Sequence, residues 1–410
     1  MAVLAVLAGP SGAQDPPKKT PPAPSQEIPP VDETKPKPPP KPPEGILPLG
    51  EIARFTYAPS DRPLVFLHGN QLVMVTSAGS VEAHDAGTGE FRWKLGLPGE
   101  ALFGPVVFRS DRAEILLSSA AGRLYVVAAE TGEIRREIPL PFELATAPLV
   151  DLSTVYLGSR SGQVAAFDAE AGAERFRVDI GESPSALAVS GGVLIVSGSE
   201  RTLLSLDARR GAEMWRLAGR RGFRAPAVFQ EDRLYIGNDA GEFYCLDLSD
   251  GDSCFRWPTG ASILFPALVE ERLVFVTSFG NDLYAYQARG GTERYRVSLP
   301  GRPASGPVRF GRRLVVATYD GAIVEVDPQK GAVGKVYAAP GELASPPAFL
   351  PGLPSAEGEW YKAHRIALSL RTGEVLLLGH QPGEAEEKEK EETGTEEPRP
   401  PPNLDTLSWK

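Results

Sequence analysis

Apolar and polar positions alternate with a period of two through most of the chain, in short runs that Gly, Asp, Asn and Ser interrupt. In Gly79–Trp93, Val81 and Ala83 alternate with polar neighbours, Asp85 closes the run, Gly89 supplies a corner, and Phe91 and Trp93 resume an extended segment. That pattern predicts a strand, a tight turn and a second strand. The Gly79 position recurs at Gly122, Gly162, Arg201, Gly241, Asn281, Gly321 and Gly373, at spacings of 43, 40, 39, 40, 40, 40 and 52 residues. The Asp85 position is filled by Ala128, Asp168, Asp207, Asp247, Gln287, Asp327 and Gly379, and the Gly89 position by Gly132, Gly172, Gly211, Gly251, Gly291 and Gly331. Eight copies at a period near 40 make this a repeat architecture.

Each copy carries two further strands ahead of its hairpin. An apolar run such as Leu72–Thr76, Val155–Leu157 or Leu234–Ile236 precedes the repeat glycine, and a segment marked by Pro63, Pro105, Pro148, Pro226, Pro266, Pro307 or Pro347 precedes that run. Proline donates no ladder hydrogen bond, so this first strand belongs at an edge. The expected fold is all-β: an eight-bladed β-propeller of four-stranded antiparallel blades with the proline-marked strand innermost. The eighth copy lacks a fourth strand, and Gly50–Phe55 matches Gly89–Trp93 but has no hairpin partner. Residues 50–57 are therefore expected to complete the last blade and close the ring, leaving no free edge. Asp at each strand end is expected to accept hydrogen bonds from its own turn. The aromatic series Trp93, Phe176, Trp215, Phe255 and Tyr295 is expected to pack between blades.

Composition divides the chain. Residues 1–45 hold fourteen of the 40 prolines with five Lys against five Asp/Glu, and residues 381–410 hold nine Asp/Glu against four Lys/Arg. Neither segment has the apolar content to form a core, so the globular body is expected over residues 46–380, with a Pro/Lys-rich linker at 15–45 and an acidic tail at 381–410. The apolar run Met1–Ala8, followed by small residues at Ser11–Ala13, reads as a signal peptide over residues 1–14. It is too short to span a bilayer, and the rest of the sequence offers no transmembrane helix. The tail accounts for half of the formal charge of −10, leaving the body mildly acidic, which argues against nucleic acid as a partner.

Gly162-Gln-Val-Ala-Ala-Phe-Asp-Ala-Glu-Ala-Gly172 and Ser205–Trp215 resemble the repeat of pyrroloquinoline-quinone-like β-propellers. The resemblance covers residues 46–380 and implies two alternatives. One branch of that family comprises quinoprotein alcohol dehydrogenases, which hold the quinone and a metal ion on the channel. The other comprises non-enzymatic scaffolds of the cell envelope, among them a component of outer-membrane protein assembly. The chain is more similar to the second branch, because the vicinal cysteine pair of many dehydrogenases has no counterpart here and no cluster of oxygen ligands for calcium stands out. The expectation is a periplasmic or envelope-associated monomer without cofactor that binds protein partners. A quinone-dependent dehydrogenase and a carbohydrate- or wall-binding propeller are the alternatives.

Cys245 and Cys254 fall on the third and fourth strands of blade five. If Asp247 faces Asp252, the cysteines face each other, and they are then either bridged or simply two small side chains in a blade. His68, His84, His364 and His380 show no metal-ligand spacing, and no nucleophile elbow or phosphate loop occurs. Recognition is therefore sought in loops held on the rigid ring. The link Ala218–Arg224 offers Arg220, Arg221, Phe223 and Arg224, the corresponding links offer Phe103 and Arg302, and the insertion Leu350–Tyr361 offers Trp360 and Tyr361. Arg and aromatic side chains are the types enriched at binding hot spots.

Overall fold

In the computed structural model, residues 45–59, 63–76, 78–97, 102–109, 113–270, 272–351 and 364–380 are described. The chain divides into two units, Met1–Pro40 and Lys41–Lys410; the first lies outside the described residues, and the second carries the fold. Its strands form eight four-stranded antiparallel sheets. In seven of them the four strands are consecutive in the chain and lie in chain order. These are the blades of a β-propeller, and the strand that contains Pro105 or follows each of the other marked prolines is the first in its sheet, where a lost donor is tolerated.

The eighth blade is built from both ends of the ring. Ala348–Leu350, Arg365–Ser369 and Glu374–His380 supply three strands, and Leu49–Thr56 supplies the fourth. This strand pairs antiparallel with the last one, from Leu49 opposite His380 to Thr56 opposite Glu374. A clasp just ahead of it fixes the closure. The buried Glu325 carboxylate of blade seven accepts the backbone N–H groups of Ile46 at 2.8 Å and Leu47 at 3.0 Å. Without that acceptor the two buried N–H groups would have no partner.

Burial explains the strand patterns. Second strands such as Thr154–Gly158 and Arg233–Gly237 and third strands such as Arg123–Ala128 are buried over nearly their whole length and centre on continuous apolar runs, whereas fourth strands alternate, with only Trp93 buried in Phe91–Gly96. Eight apolar clusters fill the eight blade interfaces. Val73, Val81 and Trp93 of blade one meet Ile115, Leu117 and Tyr125 of blade two, and Val65, Leu72 and Met74 of blade one meet Ala367, Val375 and Leu377 of blade eight. Tight packing of this kind makes each blade depend on both neighbours.

The repeated residues perform this packing. Asp85 Oδ1 accepts the N–H groups of Gly87 and Thr88 at 2.7 and 3.0 Å, and Asp168, Asp207 and Asp327 do the same in their own turns. Trp93 donates its indole N–H to the Ala129 carbonyl of the next blade at 2.7 Å, and its ring lies on Gly132, where a Cβ would come within 2.5 Å of it. Gly132 also has φ near +73°, so its lack of a side chain serves both the turn and the interface.

One expected register is corrected. The third and fourth strands of every consecutively built blade share a β-bulge. In blade five it places Cys245 opposite Phe255 and Leu246 opposite Ser253. Cys254 is the extra residue of the bulge and is exposed, while Cys245 is buried; both are free thiols in this structure. Burial, reinforced by the neighbouring Cys254 thiol, pushes the Cys245 thiol up to about 12.

Candidate functional site

Antiparallel strand order puts two kinds of connection on one rim: the links between blades and the turns between second and third strands. A repeated backbone bond ties them together. The turn N–H of Arg160, Ser199, Asp239, Phe279, Tyr319 and Arg371 reaches the link carbonyl of Glu143, Ser183, Gly222, Ser262, Arg302 and Glu342, at 2.8–3.0 Å. These six residues are therefore equivalent positions around one rim, and their side chains show where the copies differ.

Three of the six are neutralised locally. Arg371 pairs with Glu342 at 3.3 Å, Asp239 with Arg224 at 2.7 Å, and Arg160 approaches Glu143 at 3.9 Å. Blades six and seven instead carry aromatic rings. Phe279 and Tyr319 meet edge to face with centroids 6.3 Å apart, and Phe265 from the preceding link stacks on Phe279 at 6.2 Å. All three are half-buried, which raises the Tyr319 phenol above its usual value. Arg302 stands beside them, bonded through its carbonyl to Tyr319; its side chain is exposed and makes no ion pair among the described residues. A string of partly covered rings beside a free guanidinium is suited to a protein surface, because both groups bury apolar area while keeping directional bonds.

The arginine-rich link lies on the same rim and is bound to blade five. Arg220 is 3.4 Å from the buried Glu242 carboxylate, which also accepts from Tyr244 at 2.6 Å and Asn238 at 3.0 Å. Burial opposes charge on Glu242, but these hydrogen bonds outweigh it and hold the carboxyl below its usual range. Arg221 is exposed and has no ion pair among the described residues.

Phe223 is not part of this surface. It is 0% exposed and packs with Trp215 and Tyr244 in the interface of blades four and five. Its counterparts Leu144, Ile263 and Leu343 are equally buried, each bonded through its N–H to the neighbouring turn, so one apolar residue per link caps the interface below. Phe103 is half-buried against the cluster of Leu116, Leu124 and Leu144. Trp360 and Tyr361 lie outside the described residues; Leu350 and Arg365, which flank the insertion, pair with each other on the opposite rim. The structure thus groups Arg220, Arg221, Arg224 and Arg302 on the link rim and adds Phe265, Phe279 and Tyr319, which the sequence reading overlooked. Their signal was present: at the turn position the other copies hold Arg, Ser, Ala or Asp.

Among the described residues, no group of three or more His, Cys, Asp or Glu is arranged to hold a metal ion, and no helix is long and apolar enough to cross a membrane.

The family model described as outer membrane protein assembly factor BamB matches residues 77–198, 150–254, 199–340 and 255–376, an overlapping series that spans most of the ring. No curated protein sequence matches the chain significantly. Among solved structures, BamB from Moraxella catarrhalis is similar with a TM-score of 0.64 at 16% identity, covering 81% of this chain and 99% of that one. The computationally designed protein Ika8 gives 0.64 at 15% identity over 78% of this chain and 96% of its own, and Sqt1 from Saccharomyces cerevisiae gives 0.68 at 10% over 80% and 98%. At these identities the structural likeness establishes the propeller fold alone.

Proposed function

Because the chain belongs to the family of the outer membrane protein assembly factor BamB, we propose that it is a non-catalytic scaffold of the cell envelope that holds a protein partner of outer-membrane assembly on its link rim. One observation carries the choice of surface. At six equivalent positions the rim is either small or neutralised in place, except in blades six and seven, where Phe279 and Tyr319 stand partly exposed beside Arg302. A rigid ring presenting aromatic anchors supports binding without an ordering cost in the scaffold. The ring fills all its blade interfaces within one chain, which supports a monomeric scaffold. The apolar run at Met1–Ala8 supports export to the periplasm.

A photo-crosslinking side chain placed at Arg302 tests this reading in the native envelope. Capture of outer-membrane assembly components at position 302, and not at Arg135 on an outer strand, is the expected result. Capture at both positions alike, or of no assembly component, contradicts it. Saturable binding of pyrroloquinoline quinone in the presence of calcium, with dye reduction on an alcohol, would overturn the non-catalytic part.

A further inference from the structure

The opposite rim carries a groove of about 590 Å³ between blades five and six, lined by Arg233, Arg272, Arg289, Arg294 and Gln287, with Glu231 as a carboxylate at its edge. Its charge follows from a break in the repeat. In blades one and three the bulge residue of the fourth strand is an arginine that folds back onto the strand-end aspartate: Arg92 onto Asp85, and Arg175 onto Asp168 at 2.7 Å. Blade six keeps the bulge arginine, Arg294, but has Gln287 where the aspartate would be. Arg294 and Arg272 make no ion pair among the described residues and are exposed, while Arg289 meets Glu231 at 3.2 Å and Arg233 holds the Ala288 carbonyl at 3.0 Å. Each of these two unneutralised guanidiniums lining one groove offers a planar fork of N–H donors that suits a carboxylate.

The chain itself supplies such groups. The last described strand, Glu374–His380, runs away from the link rim, so the chain leaves the ring on the groove's side. Residues 384–397 then carry eight Glu with two Lys. An extended chain advances about 3.3–3.6 Å per residue, so Glu392 reaches about 40 Å from His380, whereas the two and a half blades between His380 and the groove span roughly 25 Å at a sheet spacing of about 10 Å. We infer that the acidic segment 384–397 docks in the Arg272–Arg294 groove of its own ring, its carboxylates taking the place of the aspartate that blade six lacks. Docking there leaves the link rim open, so it is independent of the partner site.

The test uses the full chain carrying Arg272→Lys, which keeps the charge and offers an amine to a water-soluble carbodiimide. Peptide mapping is expected to find position 272 joined to a glutamate within 384–397 of the same chain, in a yield independent of protein concentration. Screening should cut the yield at least fivefold at about 0.5 M salt, where the Debye length is below about 5 Å. Adding Arg294→Glu should lower it as much, whereas adding Arg209→Glu should not. Joining only to carboxylates of the ring such as Glu231, joining only between chains in a concentration-dependent way, or no joining at all overturns the inference.

Discussion

Gly132 and Trp93 show how a residue of the repeat acts across a blade boundary. A Cβ at position 132 would overlap the indole and would also strain a positive φ, so Gly132→Ala is expected to lower stability by about 1–3 kcal/mol and Trp93→Ala by about 3–5 kcal/mol, read by urea unfolding. Titration provides a second check. The backbone N–H of Ala171, with the Arg175 guanidinium and the N–H of Glu170, holds the Asp168 carboxyl down to about 2; its support for the fold is complete above the ordinary value of 3.8 and drains as pH falls toward 2. Burial holds His364 down to about 4, so the unfolded chain takes up that proton first and stability falls between pH 6.5 and 4. The thermal midpoint should therefore drop in that upper window, and His364→Asn should flatten the drop; a midpoint unchanged from pH 7 to 4.5 would contradict this. The cysteines give a third. With Cys254 exposed and the Cys245 thiol pushed up to about 12, the native protein should take one maleimide and the unfolded protein two. Two thiols appearing only after reduction would mean that they are bridged. At this scale the sequence was partly legible: Asp, Gly and Trp announced their roles by recurring, but Phe223 did not, because composition cannot tell which side of a link points inward.

The closing strand is the element on which the ring depends. Gly50–Phe55 revealed itself as an orphan fourth strand because it repeats Gly89–Trp93, and the pairing of Leu49–Thr56 with Glu374–His380 follows. The clasp at Glu325 had no such signal, since it joins residues 279 positions apart. Deleting residues 46–57 should lower the thermal midpoint sharply by opening blade eight and its interface with blade one. Glu325→Ala should cost about 2–4 kcal/mol by orphaning two buried N–H groups. A truncated protein that melts like the full chain would sink the closure. The bulge between third and fourth strands was equally illegible, because inserting one residue changes facing partners without changing the hydrophobic pattern around it. That is why Cys254 stands beside the position expected of it.

The whole molecule separates what is repeated from what is not. Repeated residues close the interfaces and hold the ring rigid; the exceptions gather on the two rims, as aromatic rings by Arg302 on one and unneutralised arginines by Gln287 on the other. The proposed scaffold role would give this division its functional sense, since a scaffold needs a stable frame and a few distinctive anchors. The link rim at blades six and seven is the proposed partner surface. Its most direct test is the affinity of the protein captured at position 302 for the wild-type chain, for Phe279→Ala/Tyr319→Ala, and for Val333→Ala/Val336→Ala on an exposed outer strand. At least about a tenfold loss is expected for the first pair and no change for the second, each protein being measured well below its own thermal midpoint because Tyr319 also packs against the core. Equal affinity of all three proteins would contradict it.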